Sequence, residues 1–199
     1  MEVDKTQLNT EIRLIGNPGI QEFVEKLLNS APDYFWKPEF GASSSGKYHI
    51  DKEGKVESLI DHTRRVVYMV YLLINNPVFP EEVINEDDKD CLIAACILHD
   101  CVKRGFDLSD LEHTKFEHPL FVRKLAKSVL TYDQYSMPYV EKILKMVEAH
   151  SGMWNTRSGI ETKLPAPSNF VEIVCHLADY LASRRGVFID PPSPYPSAT

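Results

Sequence analysis

Five short segments of the chain concentrate the side chains that can hold a metal or handle a proton. They are SLIDHTRRVV with His62, AACILHDCVKRG with His99 and Asp100, FEHPLFV with His118, VEAHSGMW with His150, and CHLADYLASRRG with Asp179. Helical spacing turns these groups inward. His62 shares a stripe with Leu59, Val66, Met69 and Leu73, and His99 follows Leu92, Ala95 and Cys96. Asp100 follows Ile93, Cys96 and Ile97, His150 ends the stripe of Ile143 and Val147, and Asp179 shares a face with Val171, Cys175 and Ala182. A carboxylate removed from water is costly unless it is paired or bound to metal. Imidazoles and carboxylates are ligands for Zn, Fe, Mn or Co, so one metal centre would satisfy the whole set. A single histidine on an apolar face is more often a hydrogen-bonded core residue; the convergence of six groups, each on a separate helix except the His99-Asp100 pair, carries the expectation.

The elements that must position these groups read as helices. Apolar periodicity predicts helices over 20–29, 57–75, 87–100 and 138–150. Pro119 at a first-turn position predicts another through Leu130, and Asn169 as N-cap with Glu172 three residues on predicts the last, over 169–184. The stretch 87–100 is apolar nearly all round, as in a central buried helix. Strand signals are confined to 47–50 and 55–56, which flank Asp51-Lys52-Glu53-Gly54 as a small hairpin within an irregular polar loop over 41–56. The expected fold is all-α, a bundle of about six to eight helices. It forms a single domain over 1–189, followed by a proline-rich, disordered tail over 190–199.

Composition narrows the function classes. The chain has 199 residues, enough for one domain with a core that needs no disulfide support. Its 29 acidic and 22 basic side chains leave a net charge of −7, which excludes a general nucleic-acid coat but allows a local positive pocket. No apolar run approaches the ~18 residues of a membrane span. The four cysteines include no CxxC pair, and Cys91, Cys96 and Cys101 read as small apolar fillers of the central helix. The N-terminal residues lack a secretory pattern, so a cytoplasmic location is expected.

The five segments together resemble the HD-domain metal-dependent phosphohydrolase superfamily, over roughly residues 41–186. GASSSGKYH is similar to a segment preceding the first ligand in short single-domain bacterial and phage members. The resemblance implies an HD-domain helical bundle. It also implies that His62, His99, Asp100 and Asp179 hold one metal and that Asp100, His118 and His150 hold a second. The cofactor would be one or two divalent transition ions, Fe, Mn, Co, Ni or Zn. Asp100 would be the bridging catalytic carboxylate, and Lys103 falls where many members direct a lysine at the substrate phosphate. A solvated helix-end lysine is the alternative for Lys103.

Further substrate-binding candidates come from the loops and the last helix. Ser45, Lys47 and His49 lie in a glycine-containing loop able to clamp a phosphate, or simply in a solvated turn. Arg157 follows Trp154 just after His150 and could border the pocket, or pack under its loop. Arg184, about one turn after Asp179, could extend a positive rim, as could its neighbour Arg185; a solvated helix end is the alternative. His113 lies in a polar loop without helical context, and His176 offers either support to a ligand or a core hydrogen bond. The implied activity is cleavage of a phosphoester of a nucleotide or related small phosphate compound by metal-activated hydroxide at a dinuclear site. Three other functions share these residues: an HD-fold di-iron oxygenase, an exonuclease on single-stranded nucleic acid, and a catalytically inactive nucleotide-binding module. Oxygen consumption, a salt-dependent gel shift and metal content respectively discriminate them.

Overall fold

A computed structural model describes residues 3–76, 84–192 and 195. Among these the chain is all-helical: α1 (Asn9–Ile12), α2 (Pro18–Ser30), α3 (Leu59–Ile74), α4 (Glu86–Leu98), α5 (His118–Val129), α6 (Tyr132–Tyr135), α7 (Pro138–Ala149) and α8 (Phe170–Ala182). A 3-10 turn covers Asp33–Trp36 between α2 and α3. None of the described helices is long and apolar enough to cross a membrane.

Local chemistry sets the helix starts. Asn17, Ser58, Asn85 and Asn169 each accept a backbone N–H of the first turn, and Thr131 closes a capping box with Gln134. The helix expected over 57–75 therefore begins at Leu59, because Ser58 is its cap and the Glu57 N–H donates to His49 O instead. Helix α4 carries Glu86, Asp87 and Asp88 in its first turn, complementing the helix dipole, and then buries every residue from Cys91 to Leu98. It packs against α1, α2, α3, α7 and α8, so it is the axis of the bundle. It stops two residues earlier than expected, with His99 as C-cap and Asp100 in the following turn.

The expected hairpin at 47–56 does not form as a pair of strands. Isolated antiparallel bridges, Ile50 with Val56 and Gly41 with Ser58, take its place. Strand pairing is limited because the polar loop offers no apolar face to bury. The short α1, α6 and the 3-10 turn were not expected; at four residues each they carry too little periodicity to read. One apolar cluster runs from Leu8 to Ala182. The expectation of a disordered tail falls partly on residues 193, 194 and 196–199, which lie outside the described residues. Tyr195 meets the rings of Tyr68 and Tyr71 at 5.6 and 5.3 Å and donates to Glu11 Oε1 at 3.3 Å.

Candidate metal centre

Four helices and the turn after α4 deliver the six expected ligands to one buried cluster. His62 lies one turn into α3, His99 is the C-cap of α4, and Asp100 follows in the turn. His118 opens α5, His150 caps α7, and Asp179 projects from α8. Two triads emerge, His62–His99–Asp100 and Asp100–His118–His150, each with one potential ligand atom per residue within 4.8 Å of the others. Asp179 Oδ1 joins the first triad, 3.0 Å from His62 Nε2 and 3.8 Å from His99 Nε2. The four histidines and Asp100 are buried, whereas Asp179 keeps 21% of its side chain exposed.

Three of the histidines are oriented by one repeated device. His99, His118 and His150 each donate Nδ1–H at 2.7 Å to the carbonyl three residues earlier, on Cys96, Lys115 and Val147. A carbonyl only accepts, so the hydrogen must sit on Nδ1, and in the neutral ring Nε2 presents a bare lone pair. These lone pairs converge. His118 and His150 bring their Nε2 atoms to 3.2 Å, and His99 Nε2 lies 3.3 Å from His62 Nε2. Two bare nitrogens facing each other at 3.2 Å, as on neutral His118 and His150, are satisfied by a cation between them.

Asp100 is shared between the triads. Its Oδ2 lies 3.3 Å from His99 Nε2 and 3.8 Å from His62 Nε2, while Oδ1 lies 3.1 Å from His118 Nε2 and 3.9 Å from His150 Nε2. Oδ1 is buried without an aligned hydrogen bond, as a carboxylate oxygen placed for a metal would be. The electrostatics agree. Burial pushes His150 down to about 3, reinforced by His118 and His99. For His99 burial also opposes charge, but Asp100 and Asp179 outweigh it and raise the group to about 9. Asp100 and Asp179 stay well below the usual carboxylate range despite burial, Asp100 through Lys103 and His99, Asp179 through His62. Two ionised carboxylates and four inward nitrogens fit divalent transition ions.

A cavity of about 380 Å³ opens onto this cluster, with His118, His150 and Asp179 in its wall. Of the substrate-binding candidates, Ser45, His49, Lys103 and Arg184 line it. Lys47 and Arg157 do not reach it: Lys47 is exposed on its loop, and Arg157 is exposed where its backbone bridges Ile160. Lys103 is buried, with Nζ 2.5 Å from Asp100 Oδ2, so the solvated helix-end alternative does not describe it. His49 stands behind His62, with the two Nδ1 atoms 3.1 Å apart, and it adopts a left-handed backbone (φ 56°) to do so. His113 is exposed outside the cavity. His176 donates Nδ1–H to His150 O at 2.8 Å, bracing the loop that follows that ligand.

Sequence reasoning missed Tyr48, Tyr180 and Arg104. Tyr48 and Tyr180 line the cavity, and Tyr180 directly follows Asp179, which was the available signal. Arg104 ties loops together at the end of α4: Nη2 donates to Gly41 O at 2.8 Å and Nη1 to Glu112 O at 2.9 Å. Its N–H donates to the buried Tyr34 hydroxyl at 2.9 Å, which in turn donates to Gly105 O at 3.0 Å.

Comparison with curated proteins finds no significant match, and comparison with solved structures finds none either. A family model described as HD domain matches residues 59–184, more than half of the chain and the whole span from α3 through α8 that carries the six ligands. The chain therefore belongs to the HD domain family, a family of metal-dependent phosphohydrolases.

Proposed function

We propose that the protein hydrolyses a phosphoester of a nucleotide or related small phosphate compound at a dinuclear metal site. The observation that carries this reading is the two pairs of facing histidine nitrogens on either side of a shared, buried Asp100, beside a cavity. Four ligands, His62, His99, Asp100 and Asp179, would hold one ion; Asp100, His118 and His150 would hold the other. When bound, divalent ions lower the pKa of water and neutralise phosphoryl oxygens.

The remaining chemistry belongs to the side chains. Asp100 presents one oxygen to each triad and so sets the spacing of the two positions. Lys103 Nζ stands against Asp100 with hydrogens left for a non-bridging phosphate oxygen, where it acts as a point charge. Ser45 and Arg184 add donors around the same space. These positive groups let a phosphate enter a protein of net charge −7. The cavity volume falls in the range of small-ligand pockets, about 300–1,000 Å³, which favours a small ester over a long strand. All four cysteines are free, which suits the cytoplasm.

Purified protein loaded in turn with Mn, Co, Fe, Ni or Zn and assayed on nucleotides and simple phosphate esters tests the proposal. Release of phosphate or a cleaved ester, abolished in His99→Ala, is expected. No turnover with any metal, or a His99→Ala protein as active as wild type, overturns it.

A further inference from the structure

Part of the wall of the cavity that Lys103 also lines is aromatic. Trp154 stacks on Tyr180 with centroids 5.3 Å apart and planes at 20°, and His176 tilts against both at 5.9 and 6.1 Å. The Arg184 guanidinium lies 4.5 Å from the Tyr48 ring and 4.4 Å from the Tyr180 ring, held by Nη2 donating to Ser183 Oγ at 2.8 Å. Yet Trp154 keeps 50% of its surface exposed and Tyr48 keeps 47%, although both line the cavity. Large aromatic surface left open inside a cavity, edged by an immobilised cation, is a stacking platform for another flat group.

The platform is rigidly tied to the ligands. Trp154 follows His150 by four residues and Tyr180 follows Asp179 by one. The loop between His150 and Trp154 closes against His176 at Gly152, where a Cβ would stand 2.2 Å from the imidazole. A left-handed backbone (φ 59°) at that glycine completes the turn. A substrate whose phosphate sits at the ligands therefore meets Trp154 and Tyr180 with whatever it carries at the other end.

We propose that Trp154, Tyr180 and Arg184 form a base-binding subsite, so that the substrate is a nucleotide and a sugar phosphate lacking a base is a poor one. This rests on the phosphohydrolase reading of the same cavity. Every nucleobase has a π-face, so the platform selects for a planar heterocycle; Arg184 reinforces the stack from its edge.

Adenosine, adenosine 5′-monophosphate and ribose 5-phosphate test it on the metal-loaded protein. Of the two tryptophans Trp36 is buried at 2% exposure, so quenching by adenosine reports Trp154. Saturable quenching by adenosine, absent in Trp154→Ala, is expected. The KM for the monophosphate should rise about tenfold in Trp154→Ala, be largely restored in Trp154→Phe, and stay unchanged for ribose 5-phosphate. Phosphoester hydrolysis without adenosine quenching, and with equal KM values in wild type and Trp154→Ala, overturns the subsite while leaving the hydrolase. Adenosine quenching with no hydrolysis of any ester overturns the hydrolase while leaving the subsite.

Discussion

Replacing Gly152 by alanine should loosen the site without touching a ligand. The residue sits two positions after His150 with φ 59°, and an added Cβ would meet three atoms of the His176 ring at 2.2 to 2.4 Å. A left-handed backbone costs a residue with a Cβ about 1–2 kcal/mol. Moving the His176 ring aside gives up its hydrogen bond to His150 O, about 1 kcal/mol more. The sum, about 2–3 kcal/mol, corresponds to a fall in Tm of about 4–12 °C for a domain of this size. Thermal unfolding of Gly152→Ala measures it directly. The same substitution in a His176→Ala background separates the two parts, since only the backbone cost should remain. A drop below about 2 °C in the single variant, or an equal drop in both backgrounds, refutes the reasoning.

Other predictions concern the cluster itself. Elemental analysis should find two ions per chain in wild type, one in His150→Ala and none in Asp100→Ala, because Asp100 belongs to both triads; an Asp100→Ala protein that keeps two ions contradicts the bridging assignment. Metal binding should release protons, because His99, raised to about 9, holds a proton at neutral pH that an ion must displace. Affinity should therefore climb as pH rises and level off above about 9, and calorimetry at pH 7 in buffers of different ionisation enthalpy should show about one proton released from this group; no buffer dependence sinks the assignment. Lys103→Met should lower kcat for a phosphoester about a hundredfold, by removing a cation fixed beside Asp100. Steady-state rates within twofold of wild type would rule out that role.

The helices that carry chemistry were legible because their signals are local. Asparagine and serine caps, a proline in the first turn and a 3.6-residue apolar period all act within a few residues of the chain. The same period shows which face is buried, so His62, His99 and Asp100 could be read as inward-facing before any packing was known. The polar loop over 41–56 was harder. Its backbone bonds go to Ser183 and Glu57, partners that no local pattern names. The cavity wall was harder still. Trp154 suggested Arg157 as its cationic neighbour through proximity in sequence, but Arg157 faces solvent. Arg184 stands over Tyr48 and Tyr180 instead, because the turn that ends α8, closed by the Arg184 N–H donating to Leu181 O, brings its guanidinium back across the Tyr180 ring.

The sequence by itself determined the all-helical class, the central apolar helix α4 and a set of six inward groups with the makings of a metal centre. Only the tertiary structure decided that His99 and His118 turn their Nε2 atoms to different partners, and that Asp100 turns one oxygen to each pair. It also decided that an aromatic platform flanks the ligands, and that Lys47 and Arg157 stand apart from it. The division follows from range. Periodicity and capping depend on neighbours one turn away, whereas the distance between two side chains on separate helices is set by the volumes of every core residue packed between them.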